Sequence, residues 1–192
     1  MSIFDDIARS APNPAGRDAL IAHVDAALSD AVAEDYLGMV GTPGELLTVT
    51  FPAEDGSGAF IRTMSDLGTE DRVVAVWGLS RVEPAGTRDK VRMAGFLGGV
   101  WSATYPGDDR GHFFAHTMGG GTDINLFPQL ASVNRGGQWR EMERYAAEHH
   151  GTLCCVRPVY GAPGWRPTEL DYAVFKLPPD APFAVWTNRF PN

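Results

Sequence analysis

The sequence predicts an α+β protein with a mixed, mainly antiparallel sheet. A long segment of helical periodicity comes first, a series of short β-rich runs follows, and a second helical segment interrupts the later runs. With 192 residues, of which 44% are hydrophobic, the chain can bury a core without metal or disulfide staples. We therefore expect one domain, or one domain with a sizeable extension.

The first helix is predicted over residues 15–37, where apolar side chains such as Leu20, Val24 and Leu28 recur every three or four residues. Turn-forming residues at 41–44 end this segment. The face opposite the apolar one is acidic, with Asp18, Asp25, Asp30, Glu34 and Asp35.

The β-rich runs predict the strands, and the first two runs flank Asp55-Gly56, a dipeptide typical of hairpin turns. The second helix is predicted over residues 137–150, with Gly151 as its stop signal. Residues 84–109 are rich in glycine and proline, so we expect loops with short strand fragments there. The predicted strands are residues 46–51, 59–64, 72–79, 153–159, 172–177 and 183–187.

The formal net charge of −8 is unevenly distributed along the chain. Residues 1–71 carry three basic and thirteen acidic side chains, residues 72–145 carry nine basic and seven acidic ones, and residues 146–192 carry four of each. An acidic protein as a whole repels a polyanion. Because the acidity is concentrated in the first third, the middle segment can still form a phosphate-binding surface.

No segment approaches the roughly 20 consecutive apolar residues that cross a bilayer, and the acidic start differs from the basic start of a signal peptide. We therefore expect a cytoplasmic protein without a membrane partner, and leave open export by a route that needs no signal peptide. The two cysteines, Cys154 and Cys155, are neighbours on a predicted strand and point to opposite faces. We expect them to be reduced and structural.

Three polar clusters are the candidates for chemistry. Each has an ordinary structural interpretation: His112 as a partly buried side chain, Asn134 as a helix N-cap, and Glu143 as the solvated edge of a helix. The clusters are Asp109-Arg110-Gly111-His112, then Asn125-Leu126-Phe127-Pro128-Gln129, then Asn134-Arg135-Gly136-Gly137-Gln138-Trp139 with Glu143 beyond.

Together the clusters resemble the DNA/RNA non-specific endonucleases, the ββα-metal or His-Me finger nuclease family, and especially its toxin-type branch. The family motif D-R-G-H stands at residues 109–112, N-x-x-P-Q at 125–129 and N-R-G at 134–136. The helix signature follows as Trp139, Met142 and Glu143, one place later than in the shortest family version.

The resemblance covers residues 72–192, and Arg166-Pro167-Thr168 before a strand is similar to the toxin-type branch. It implies a ββα-metal nuclease domain over residues 72–192. Residues 1–71 then form an acidic N-terminal helix and hairpin extension.

Hydrolysis of a phosphodiester needs a nucleophilic water, neutralisation of the phosphate charge and help for the leaving 3′ oxygen. The resemblance implies that His112 is the general base, so activity should rise with pH through the titration of an imidazole, at about 6.5 when unperturbed. It also implies that Asn134 is the metal ligand and that Glu143 holds the waters of the metal. The implied ion is Mg²⁺, with Mn²⁺ as a substitute, because such ions prefer oxygen ligands and keep most of their waters.

The remaining site residues follow from the same resemblance. Asn125 is expected to orient His112 or a metal water, and Arg110 to grip phosphate or fix the loop that carries the histidine. Asp109 is expected to support the site from behind. The candidates for a further phosphate contact are Arg92, Arg135 and Arg140.

Helical geometry restricts how Asn134 and Glu143 can share one ion. Residues nine apart on a regular helix lie on opposite sides of it. We therefore expect Gly136-Gly137 to interrupt the helix, so that Glu143 lies about a turn and a half into the helix that follows.

Other candidate sites are weaker. A zinc site could be built from His112 and His116 with Asp108 or Asp109, provided that the two histidines lie close together. On a strand that continues through Phe113 and Phe114, the two histidines would be about 13 Å apart. Gly119-Gly120-Gly121 lacks the Lys-Ser/Thr of a P-loop and is expected to form a hairpin or a substrate-side loop. His149 and His150 are expected to cap a helix C-terminus.

The acidic first third allows two interpretations. In the first, the helix and hairpin extend the nuclease core and exclude water from it. In the second, a helix with one apolar and one acidic face is an interaction module that forms a homo-oligomer, docks an immunity protein or another assembly partner, or moderates substrate binding.

The function that these observations favour is a magnesium-dependent endonuclease that cuts DNA, and RNA as a second substrate, with little sequence preference. The resemblance implies 5′-phosphate products. The biological role stays open between a toxin-like effector and an intracellular nuclease of defence or turnover. The alternative is a non-catalytic binding protein that retains the nuclease fold.

Overall fold

Four α-helices and eight strands lie within the residues that the computed structural model describes: 2–11, 17–40, 44–53, 57–68, 71–82, 91, 103–121, 123–176 and 183–192. The helices are α1 (Ile3–Ser10), α2 (Arg17–Val40), the single turn α3 (Ala131–Asn134) and α4 (Gly137–Glu148). The strands are β1 (Glu45–Pro52), β2 (Phe60–Leu67), β3 (Arg72–Leu79), β4 (Asp109–His112), β5 (Leu126–Gln129), β6 (Leu153–Val159), β7 (Glu169–Lys176) and β8 (Ala184–Pro191).

Six of these strands form one antiparallel sheet in the order β1-β2-β3-β6-β7-β8. The other two, β4 and β5, pair as a separate two-stranded antiparallel hairpin. The α+β class and the mainly antiparallel sheet predicted from the sequence are therefore confirmed.

The large sheet is buried on both faces. In β3 every residue is buried, and its side chains divide between two hydrophobic clusters. Trp77 packs on the side covered by α1 and α2, whereas Val76 packs on the side covered by the hairpin and α4. Because a strand alternates its side chains, a continuous apolar run such as Val73 to Trp77 supplies both layers at once.

On the first face, α2 buries a single stripe of side chains spaced four residues apart: Leu20, Val24, Leu28, Val32 and Tyr36. This stripe confirms the predicted apolar face, although the helix ends three residues later than expected. The short helix α1, which has no predicted counterpart, buries Phe4 and Ile7 in the same cluster.

Polar contacts also attach α2 to the sheet. Asp25 accepts a hydrogen bond of 2.8 Å from the indole of Trp77 and pairs with Arg62. Further along α2, the hydroxyl of Tyr36 donates to fully buried Asp66 at 2.5 Å and accepts from Arg72 at 3.1 Å. Burial and the bond to the carboxylate raise the pKa of Tyr36 to about 12, so its hydroxyl stays protonated.

On the second face, the β4–β5 hairpin and α4 share an aromatic cluster with the sheet. Phe127 stacks on Phe113 with ring centroids 4.2 Å apart and meets Trp139 edge-on at 6.5 Å. Trp139 in turn contacts Tyr172 and Phe190 of the sheet. Buried aromatic contacts of this kind fix the hairpin and the helix relative to each other.

Most element boundaries agree with the predictions, and the differences are local. Strands β3 and β6 have the predicted bounds, whereas β7 begins three residues early and β8 ends four residues late. The turn predicted at Asp55-Gly56 and most of residues 84–109 lie outside the described residues. Cys154 and Cys155 are buried free thiols as predicted, and burial raises the pKa of each. No helix among the described residues is long and apolar enough to span a membrane.

Replacing Tyr36 by phenylalanine should destabilise the fold by about 1–3 kcal/mol, because it leaves buried Asp66 and Arg72 without the shared hydroxyl. Urea unfolding followed by circular dichroism measures the change. Tyr145→Phe, at a half-buried tyrosine in α4, is the matched control and should shift the free energy of unfolding by less than about 0.5 kcal/mol. Equal effects of the two substitutions would contradict the role given to the Tyr36 hydroxyl.

Candidate active site

A polar pocket of about 370 Å³ opens between the β4–β5 hairpin and the first turns of α4. It brings together residues of the first and the third of the polar clusters, and none of the second. Its lining consists of Arg110, His112, Ala115, His116, Thr117, Asn134, Arg135, Arg140 and Glu143.

The hairpin places Arg110 and His112 in this pocket. In the β4–β5 register, Arg110 pairs with Pro128 and His112 with Leu126, so the two side chains leave the strand on the same face. His112 is the last residue of β4 and is only 7% exposed. The imidazole therefore lies at a strand end, against a buried wall.

Asn125 determines how the chain turns after His112. Its Oδ1 accepts from the backbone N–H of Phe114 at 2.8 Å, and its Nδ2 donates to the carbonyls of Phe114 and Gly121 at 2.7 and 2.8 Å. All three of these bonds go to backbone groups, and Asn125 does not line the pocket. Its predicted action on His112 or on a metal water stays a prediction. The side-chain contacts given above join Asn125 to the backbone of the loop that follows His112.

Two glycines separate Asn134 from α4. Asn134 ends the single turn α3, Gly136 is extended at φ −161°, and Gly137 has φ +61°, in the left-handed region that favours glycine. Helix α4 then starts afresh, and Glu143 lies just over a turn and a half into it. The predicted interruption of the helix is confirmed, and it brings Asn134 and Glu143 to one pocket.

Asp109 orients Asn134 from behind the pocket. Its Oδ2 accepts from Asn134 Nδ2 at 2.9 Å and from Arg135 Nε at 2.8 Å. The bond from Arg135 and the bond from Asn134 hold the pKa of Asp109 below its ordinary value, so the carboxylate stays charged. With its amide nitrogen engaged in this way, Asn134 has its carbonyl oxygen Oδ1 as the atom suited to a cation.

Glu143 is a buried carboxylate in a polar wall. It is 5% exposed, accepts from the indole Nε1 of Trp139 at 3.0 Å, and pairs with Arg140. Burial raises the pKa of Glu143 above its ordinary value, and the two hydrogen-bond donors oppose that shift only in part. A buried acid of this kind, in a cleft with arginines, is typical of a functional site.

The three arginines predicted to contact phosphate have different outcomes. Arg92 lies outside the described residues, so its proposed phosphate contact stays a prediction. Arg135 and Arg140 both line the pocket, with side chains 71% and 53% exposed, and can reach solvent.

The structure corrects the geometry assumed for His116. Strand β4 ends at His112, and residues His116–Met118 form a 3-10 turn, so the strand does not continue through Phe113 and Phe114. His112 and His116 consequently line the same pocket. The described residues nevertheless contain no group of three His, Cys, Asp or Glu side chains that could hold a metal.

Gln129, the last residue of β5, lies outside the lining of the pocket and had no role predicted from the sequence. It is fully buried, and within the described part of the chain neither atom of its amide has a hydrogen-bond partner. It packs against Gly111, where an added Cβ would lie only 2.1 Å from Gln129 Oε1. This close approach explains why the D-R-G-H segment has glycine at its third position here. The signal in the sequence was the N-x-x-P-Q motif itself.

The donor set fits a hard divalent cation. Asn134 offers an amide oxygen and Glu143 a carboxylate within one water-accessible pocket, and Asp109 fixes the orientation of the amide. A cation that keeps most of its own waters needs few protein ligands, which suits a pocket without a three-residue ligand cluster among the described residues.

A two-stranded hairpin and a helix that line one polar pocket form a ββα core. The chain belongs to the DNA/RNA non-specific endonuclease family, whose model matches residues 65–173. Membership supports nuclease activity and hence a hydrolase, and the family generally depends on a divalent metal.

A 74-residue segment is 39% identical to a protein of Dickeya dadantii (strain 3937) named "Probable deoxyribonuclease RhsA". The similarity covers 36% of this chain but only 5% of that relative. The chain therefore spans a small part of the length of the relative it matches.

Replacing Glu143 by glutamine should stabilise the protein relative to wild type as pH rises. Because the pKa of Glu143 is raised in the folded state, ionisation of this carboxyl favours the unfolded chain. The wild-type protein therefore loses stability as pH rises from the ordinary glutamate pKa through the raised pKa of the folded state, whereas the glutamine variant does not. Thermal unfolding at pH 5 and pH 8 measures the trend. Glu141→Gln, at an exposed residue of the same helix, should show no such trend. An advantage of Glu143→Gln that shrinks with rising pH would contradict the buried-carboxylate assignment.

Proposed function

We propose that this protein is a divalent-metal-dependent endonuclease that hydrolyses phosphodiester bonds in the polar pocket. The observation that supports it most is the convergence of four chemically distinct groups in that pocket: Arg110, His112, Asn134 and Glu143. A guanidinium, an imidazole, an amide oxygen and a carboxylate cover the separate needs of phosphoryl transfer.

His112 acts as the general base in this proposal. Its imidazole, placed at the strand end, takes a proton from the attacking water when it is neutral. The surrounding buried wall, which includes Ala115, limits access of further water to that side of the ring. Activity then rises with pH as the imidazole loses its proton.

Asn134 and Glu143 would hold the divalent ion, Asn134 through Oδ1 and Glu143 through the waters of the ion. When bound, such an ion neutralises charge on the phosphate and stabilises the leaving oxygen. Asp109 keeps the Asn134 amide turned so that its oxygen faces away from the carboxylate. Mg²⁺ is the proposed ion, with Mn²⁺ as a substitute.

The arginines would bind the nucleic acid. Arg110 leaves the hairpin on the same face as His112 and lines the pocket, which suits a contact to the scissile phosphate. Arg135 and Arg140 are more exposed and suit neighbouring phosphates. Binding of this kind is weakened by salt and largely independent of sequence.

DNA is the proposed main substrate, with RNA second and with 5′-phosphate ends as products. The similarity to a relative named as a deoxyribonuclease supports DNA. We propose a toxin-like effector, which would require an immunity protein in the producing cell, with a defence nuclease as the alternative role. Action within a cytoplasm fits either role.

We also propose that residues 1–71 extend the nuclease core. The stripe of α2 that ends at Tyr36 lies in the same cluster as Trp77, and Asp25 and Asp35 of α2 pair with Arg62 and Arg157 of the sheet. A helix bound by both apolar and polar contacts is expected to stabilise the sheet.

Purified protein should convert supercoiled plasmid to nicked and linear forms with Mg²⁺, and EDTA should abolish this. His112→Ala should lower the rate at least about 100-fold, since a general base typically contributes 10²–10⁴-fold. His150→Ala, at an exposed histidine of the helix end, is the matched control and should cut at the wild-type rate. Parallel reactions with total RNA report the sugar preference.

Equal cleavage by His112→Ala and wild type would refute the base assignment. Cleavage by neither protein across several metals and pH 6 to 9 would favour the alternative of a non-catalytic binding protein.

Replacing Asp109 by alanine should raise the Mg²⁺ concentration for half-maximal activity about 10–100-fold, the usual effect of losing a residue that orients a metal ligand. Mn²⁺ titration calorimetry should show the same loss of affinity without any turnover. Asp30→Ala, at an exposed aspartate of α2, should change neither value. An unchanged metal requirement in Asp109→Ala would separate Asp109 from the metal site.

A further inference from the structure

Strand β1 is an edge of the six-stranded sheet and shows few of the features that protect sheet edges. Its residues are exposed apart from Leu46, and Glu45 is its only charged residue. The apolar side chains Leu47, Val49 and Phe51 are 44%, 38% and 42% exposed and project from one face. Edge strands are usually shielded by internal charges, bulges or a covering element.

The opposite edge of the same sheet is protected. Strand β8 carries Arg189, which pairs with Asp171 and Glu169, and Thr187 donates to Asp5 of α1 at 3.0 Å. The edge at β8 is therefore covered by polar contacts, whereas the edge at β1 is exposed. An exposed edge with unpaired N–H and C=O groups can accept another extended strand.

The side-chain pattern of β1 is self-complementary. When two antiparallel copies are related by a two-fold axis through Val49, Leu47 lies opposite Phe51 of the second copy and Val49 lies opposite Val49. Thr48 and Thr50 pair in the same way on the other face. A slip of one residue would place apolar side chains opposite threonines, so the pattern disfavours such a slip.

The charge distribution also favours a second copy at this edge. A chain with a net charge of −8 repels itself, so a homodimer needs an interface with little charge. In the register centred on Val49, each Glu45 lies opposite Ala53 of the other copy. The two Glu45 side chains are then about 27 Å apart, at opposite ends of the paired strands.

We propose that the protein forms a homodimer by antiparallel pairing of β1 with β1 of a second copy. The interface consists of backbone hydrogen bonds and the apolar row Leu47, Val49 and Phe51. Because one strand pair buries a small area, the dimer should be weak and dependent on concentration.

The pairing also determines where the two pockets of the dimer lie. The role given to them below rests on the proposed nuclease function. Phe51 pairs with Ile61, and Ile61 packs in the cluster beneath the hairpin and α4. The apolar row therefore faces the same side of the sheet as the pocket. A two-fold axis perpendicular to the sheet then places both pockets on one face of a continuous twelve-stranded sheet, where one nucleic acid could contact both.

Sedimentation velocity over about 1–300 µM should show the mass rise from the 20.8 kDa monomer toward a dimer. Val49→Lys places two like charges opposite each other and should weaken the dimer at least about tenfold. Val82→Lys, at a 64% exposed residue outside β1, should leave the dimer unchanged. Circular dichroism verifies that each variant is folded.

Register is tested by crosslinking. Val49→Cys should form a disulfide-linked dimer on oxidation, whereas Val82→Cys should not, and the native cysteines are buried. A protein that stays monomeric at every concentration, or a dimer that Val49→Lys leaves intact, would overturn the proposal. A dimer without Val49→Cys crosslinking would overturn the register. Because these readouts require no cleavage, a dimer found in an inactive protein would refute only the nuclease assignment.

Discussion

Burial of the central strands on both faces is the constraint on which the structure depends. The continuous apolar run of β3 places Val76 on one side and Trp77 on the other, and neither side can face water. The chain therefore needs a layer on each face of the sheet. Helices α1 and α2 supply one layer, and the β4–β5 hairpin with α4 supplies the other. The pocket forms within that second layer, between the hairpin and α4. The contact between Phe127 and Trp139 holds these two elements together.

Within the second layer, a small backbone feature decides the chemistry. Without the turn at Gly136 and the positive φ of Gly137, Asn134 and Glu143 would lie on opposite sides of one helix. With it, an amide and a carboxylate reach the pocket of His112. Asp109 then links the hairpin to the Asn134 segment, so that the strand that carries His112 and the residue proposed to hold the metal are fixed to each other.

Periodicity was sufficient to predict the elements that bury a face. The stripe of α2 and the run of β3 are direct consequences of apolar spacing. Periodicity was not sufficient where a side chain bonds to the backbone. Phe113 and Phe114 favour a strand, but the Asn125 side chain forms hydrogen bonds with the backbone N–H and C=O of Phe114, and the chain turns there. His116 reached the pocket for that reason. The bond between Asp109 and Asn134, 25 residues apart, depends on tertiary packing that no local pattern encodes.

His112, Asn134 and Glu143 are proposed to form one metal-dependent site. A crystal structure of His112→Ala with Mn²⁺ and a short DNA duplex tests it most directly, because the variant should bind the duplex without cutting it. We expect an anomalous manganese peak in the pocket, about 2.0–2.3 Å from Asn134 Oδ1, with a phosphate beside it. A manganese peak elsewhere, with Asn134 facing away from it, would show that these three residues do not share a metal site.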